Sequence, residues 1–134
     1  VNNLLTLACY NLIIRTQKMI PNGTYHKAIF LPKIKYPNRE IELTPSRHAL
    51  EQAGKDRYGL IRIPARINFN NVDIIEVEIQ AGKVFKVVVR MPYNNTCDLV
   101  MPILINGAII KTVWLNRKND KHETLDHTKY IQKP

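Results

Sequence analysis

Two stretches of apolar and polar alternation mark the second half of the chain. From Asp73 to Gln80 and from Lys83 to Met91 the residues alternate, with Phe85, Val87 and Val89 on one face and Lys86, Val88 and Arg90 on the other. That period of two predicts half-buried strands, and Ala81-Gly82 between them predicts a hairpin. Asp98 to Ile105 and Ala108 to Leu115 flank Asn106-Gly107, a pair that predicts a second tight hairpin with positive φ at both central residues. A four-stranded antiparallel meander follows. On its last strand Ile109, Lys111, Val113 and Leu115 share one side, and Ile110, Thr112, Trp114 and Asn116 the other, with Ile110 and Trp114 as core candidates.

The first half reads differently. Leu4, Leu5, Leu7, Ala8, Leu12 and Ile13 recur at helical offsets and predict an amphipathic helix over 3–17, ended by Pro21-Asn22-Gly23. Extended runs are expected at 25–31, 34–36 and 40–43, the first limited by Pro32. Thr44 is the expected helix cap and Pro45 suits the first helical position, so a helix should run through Ala53 and stop at Gly54 or Gly59. The expected class is therefore α+β: one or two helices followed by a four-stranded antiparallel sheet meander, with a helix packed on one face. Residues 1–18 are expected as an N-terminal apolar helix or extension, 19–122 as a single domain and 123–134 as a C-terminal tail.

Composition sharpens this picture. The 134 residues suit one core, and an apolar share of 45% is enough to fill it. Lysine and arginine outnumber aspartate and glutamate by 20 to 11, a net charge of +9, and the excess falls before residue 50 and after residue 100. Such a balance points to a polyanionic partner, whether RNA, DNA or an anionic membrane, although a solvated surface would read the same way. The first eighteen residues include Asn11 and Arg15 and are too short and polar to span a bilayer, which leaves them as a candidate contact in a homo-oligomer. Cys9 and Cys97 show no pairing rhythm, so a reducing compartment is expected, the cytoplasm of the source or of a host cell.

No phosphate loop, dinucleotide fingerprint or nucleophile elbow is present. His122 and His127, with Glu123 and Asp126 between them, do not reproduce a zinc spacing, so no metal or cofactor is expected. The candidate chemistry lies elsewhere. His48 stands in the helical SRHALEQ, Arg90 ends the strand KVVVRM, and the final hairpin ends KTVWLN before the basic run Asn116-Arg117-Lys118 and Lys121-His122.

In the order of these elements over about residues 44–120, the chain resembles the barnase, EndoU, colicin and RelE group of small ribonuclease folds. The resemblance implies a metal-independent, toxin-like or virus-encoded endoribonuclease that cleaves RNA by attack of the 2′-hydroxyl on its own phosphodiester. By position it implies catalytic roles for His48, Arg90 and Thr112. His122 has no firm counterpart in that group but joins the catalytic candidates, because histidine can supply the acid and base that such a cleavage needs.

Arg47, Lys86, Lys111, Trp114, Arg117, Lys118 and Lys121 are the candidate nucleic-acid contacts, cations for phosphate and a ring for stacking. Tyr58, Tyr93 and Tyr130 are further rings interleaved with basic residues. Each candidate has a plainer reading: His48 as a packing residue, His122 as a solvated loop residue, Arg90 as the cross-strand partner of Glu76 or Glu78. The alternatives to an enzyme are a nucleic-acid-binding module without catalysis and a structural or assembly subunit, for example a viral one, that uses its terminal segments.

Overall fold

The alternation over 73–91 folds as a long hairpin of β5 (Asp73–Gln80) and β6 (Lys83–Pro92). It stands at the centre of a computed structural model that describes residues 20–120 and 126–133. The helix expected over 3–17 and residues Lys121 and His122 lie outside the described residues. Before this hairpin come β1 (Gly23–His26), β2 (Ile41–Glu42), β3 (Thr44–Pro45), α1 (Arg47–Ala53) and β4 (Arg66–Ile67). After it come β7 (Cys97–Leu104), β8 (Ile109–Ile110) and β9 (Trp114–Arg117).

The expected α+β meander with helices is overturned. The described residues are mostly β, with one α-helix, a seven-stranded mixed sheet and a two-stranded sheet of β2 and β4. In the large sheet β1 pairs antiparallel with β5, β6 and β7 follow, and β8 and β9 both pair along the far side of β7. β3 closes the order by pairing parallel with β8. β1 and β2 overlap the runs expected as extended at 25–31 and 40–43, whereas β3 and β4 are additional strands of two residues each. Runs that short carry no readable period, and they become strands by pairing with edges that the long strands provide.

Turn chemistry differs from expectation in one informative way. Ala81 and Gly82 have φ of 52° and 72° between directly paired Gln80 and Lys83, which is the two-residue hairpin turn with both central residues left-handed. At Asn106-Gly107 only Gly107 has positive φ, and Ala108 N donates to Ile105 O at 3.2 Å, the pattern of a type II turn inside a longer loop. Ala108, at φ 51°, completes that loop.

Bulges then decide which side chains face the core. Between the pairs Ile110–Ile103 and Trp114–Val100, three residues oppose only Met101 and Pro102. Pro102 has no N–H for the ladder, and the unpaired stretch sits across from it. The extra residue reverses the alternation, so Ile110, Val113 and Leu115 all enter the main core while Trp114 turns to the opposite face against Ile75, Val88 and Val100. A second irregularity leaves Phe85 unpaired between Lys86 and Val84, so Phe85 is 42% exposed while Val87 and Val89 are buried.

α1 begins two residues later than expected because Thr44 and Pro45 are engaged with β8. Ser46 is the cap instead, its Oγ accepting from Ala49 N at 3.0 Å, and the backbone N–H of Gly54 closes the other end. Ala49 and Ala53 pack the helix onto the core beside Leu43 and Ile61. Residues 126–133 return to the sheet. Ile131 N donates to Thr24 O at 2.9 Å, and the Tyr130 hydroxyl donates to Glu76 Oε1 at 3.1 Å.

Candidate functional site

The sheet face opposite α1 is rich in ions, and they are matched. Lys86 lies 3.5 Å from Glu78 and 3.9 Å from Glu76. Arg90 Nε donates to Asp98 Oδ2 at 2.9 Å, and Lys118 Nζ donates to Asp98 Oδ1 at 2.7 Å. Lys27 pairs with Asp73 at 2.7 Å. His26, Lys27, Asp73, Arg90, Asp98 and Lys118 line a cleft of about 430 Å³ on this face. His26 is buried there, its Nδ1 accepting from Ala28 N at 3.0 Å and its ring 5.1 Å from that of Tyr130. An imidazole that accepts at Nδ1 carries its proton on Nε2.

Two acids on this face are shifted. Burial raises the Asp98 carboxyl, but the hydrogen bonds and charges of Lys118 and Arg90 outweigh it and hold the group below the ordinary carboxylate value. Burial, then the neighbouring Glu76 charge, pushes the Tyr130 hydroxyl up to about 12. Both groups hold strands and loops together, and every cation of the cleft faces a carboxylate.

Four cations without a carboxylate partner among the described residues, Lys55, Arg57, Lys111 and Arg117, lie along the β8–β9 edge and the loop docked on it. Asp56 builds this rim. Its Oδ1 accepts from Leu115 N at 3.2 Å and its Oδ2 from Tyr58 N at 3.0 Å, which docks the loop after α1 onto β9. The loop then presents Lys55 and Arg57 to solvent. Arg57 and Arg117 both lie over the Tyr58 ring, 4.6 and 5.6 Å from its centroid. Lys111 continues the exposed row, and its carbonyl accepts from Ser46 Oγ at 2.9 Å, which sets the start of α1 against it.

The sequence candidates divide accordingly. Lys111 and Arg117 stand exposed on the rim, and Arg47 and His48 are exposed at its α1 end, with Arg47 3.5 Å from Glu51. Thr112 is half-buried in the unpaired stretch opposite Pro102. Trp114, Lys86, Arg90 and Lys118 belong to the opposite face, where Lys86 takes the partners expected for Arg90. Arg90 does not stand with His48. Arg90 Nη1 and Nη2 donate to the carbonyls of Asp120 and Arg117, each at 3.0 Å, so the guanidinium fastens the end of β9. Tyr93 is likewise structural, accepting from Arg62 N at 2.9 Å.

Lys55 and Arg57 are the rim residues that pattern reading missed, although a tyrosine between cations and two glycines in Gly54-Lys55-Asp56-Arg57-Tyr58-Gly59 is a visible signal. His26 carries no such signal, since nothing in the nearby sequence ties it to Arg90. Among the described residues no helix is long and apolar enough to cross a membrane, and no cluster of side chains has the make-up of a metal site. Comparison with known proteins returns no matching family model, no matching curated protein and no matching solved structure.

Proposed function

We propose that this protein binds RNA along the rim formed by Lys55, Arg57, Tyr58, Lys111 and Arg117. The observation that carries the reading is the pair of exposed guanidiniums over one tyrosine, in a molecule whose other face is charge-matched. Guanidinium groups suit phosphate through paired N–H donors, and stacking on a ring holds them in the geometry to do so. RNA fits better than duplex DNA because an edge with one ring and a row of cations can follow a single strand. The test is titration of a single-stranded RNA at several salt concentrations. Affinity should fall linearly on a double-logarithmic plot, with a slope of about −0.7 per phosphate neutralised. Salt-independent binding, or none, overturns the proposal.

A second reading, cleavage through the 2′-hydroxyl, is favoured by one contact: Ser46 Oγ to Lys111 O brings the exposed His48 to the end of the same rim. Here His48 would move the proton and the rim cations would hold the phosphate, with Arg90 confined to a structural part. Incubation of RNA with the protein and a chelator, followed by a search for 2′,3′-cyclic phosphate ends, tests it. Equal product from the wild type and His48→Ala, or no product from either, removes it.

A further inference from the structure

We propose that the groove between α1 and residues 60–65 is the docking site for an acidic amphipathic segment of a partner protein. The groove has a volume of about 650 Å³, and its walls are Leu43, Leu50, Ala53, Leu60, Ile61 and Ile63, with prolines beside them. Leu60 is 78% exposed and Leu50 57%, so two large apolar side chains face water at one opening. Isolated exposed leucines are ordinary, but two on the lips of a concave apolar groove are the arrangement that takes up the apolar face of another segment.

The charges around the groove select the partner. Arg62 is the one charged residue lining it, and Lys55 follows Gly54 at its end. Neither has a carboxylate partner among the described residues. Of the nearby acids, Glu51 is matched by Arg47 at 3.5 Å and Glu42 by Arg66 at 3.6 Å, while Asp56 is taken up by the backbone N–H groups of Tyr58 and Leu115. A segment carrying Asp or Glu beside its apolar positions would therefore bury its anchors and meet positive charge at the edge.

Other occupants fit less well. In a two-fold dimer the same patch faces itself, so two concave walls and two Arg62 side chains would oppose each other, in a chain of net charge +9. RNA would find no aromatic ring among the residues of the groove walls. A flat anionic membrane does not fill a hollow.

The experiment uses the full chain and two labelled peptides that share the same leucines at helical spacing, one with glutamate and one with lysine at all other charged positions. Fluorescence anisotropy should show saturable binding of the glutamate peptide and at least about tenfold weaker binding of the lysine peptide. Leu50→Asp and Leu60→Asp should each weaken the glutamate peptide by about tenfold or more, as loss of an anchor does. Arg62→Glu should shift preference toward the lysine peptide.

Both leucines are exposed, and retained melting temperature checks that each variant folds. Should either aspartate variant unfold, Arg62→Glu still decides. Equal binding of both peptides, binding of neither, or binding unaffected by all three variants overturns the proposal. So does a dimer in sedimentation that Leu60→Asp dissolves, or binding to phosphatidylserine vesicles that Leu60→Asp abolishes. Leu60→Asp should leave RNA affinity unchanged, which keeps this result separate from the rim.

Discussion

Arg90 and Asp98 meet on neighbouring strands at 2.9 Å, with 11% and 18% of their side-chain surfaces exposed. The guanidinium also holds the carbonyls of Arg117 and Asp120, so one side chain joins β6 and β7 to the chain leaving β9. Removing Arg90 leaves Asp98 with Lys118 as its one ion partner and takes this donor from the carbonyls of Arg117 and Asp120. Arg90→Ala should cost about 2–4 kcal/mol in a urea titration while lowering the RNA affinity of the folded fraction less than Arg117→Ala does. A large loss of affinity without loss of stability would assign Arg90 to ligand instead.

Asp98 ties the same network to pH. Its pKa is held below the ordinary carboxylate value, so its contribution is complete above about pH 4, where the unfolded chain is also ionised. The contribution disappears as pH falls through the lowered folded value. Denaturation midpoints of the wild type and Asp98→Asn should differ at neutral pH and converge in acid. Parallel profiles would contradict this assignment.

Tyr130 acts in the opposite range. Its hydroxyl, pushed up to about 12, stays protonated in the fold after unfolded tyrosine has ionised near pH 10. Stability linked to Tyr130 is thus full below about pH 10 and declines as pH rises toward the folded value. The difference in tyrosinate absorbance between the wild type and Tyr130→Phe isolates this residue. Its midpoint should fall when Glu76→Gln removes the neighbouring charge.

Tyr36 stacks on Phe69 with ring centres 5.6 Å apart, and its hydroxyl is buried without a hydrogen-bond partner among the described residues. Burial raises its pKa strongly. A hydroxyl removed from water and given no partner is unfavourable, so Tyr36→Phe should stabilise the protein by about 1 kcal/mol. A destabilised variant would show that the hydroxyl has a partner in solution.

On the rim, Arg57→Ala and Arg117→Ala should each weaken RNA binding across sequences and reduce the magnitude of the salt slope by about one phosphate's share. Lys27→Ala and Lys86→Ala alter cations already matched by carboxylates, and RNA affinity should hardly change. Anisotropy titrations at two salt concentrations make the comparison. Equal losses for all four would mean that net charge alone governs binding.

The long strands were legible because Asp73–Gln80 and Lys83–Pro92 are long enough for a period of two to register, and Ala81-Gly82 marks their turn. The positive charge and the exposed Lys111 and Arg117 could also be read directly. β3 could not: Thr44-Pro45 looks like a helix start, and only the presence of β8 makes it a strand. Nor could the faces. One residue too many opposite Pro102 and one at Phe85 reverse the alternation, sending Trp114 away from the core and Phe85 to solvent.

The central strands and the sign of the charge were readable from the chain alone, because they depend on local period and composition. Arg90 as a clasp, the neutralisation of Lys118 and the meeting of Arg57 with Arg117 over Tyr58 arise from the fold. Those outcomes depend on bulge-shifted register and on partners up to 60 residues apart in the chain, such as Arg57 and Arg117. No local pattern encodes them.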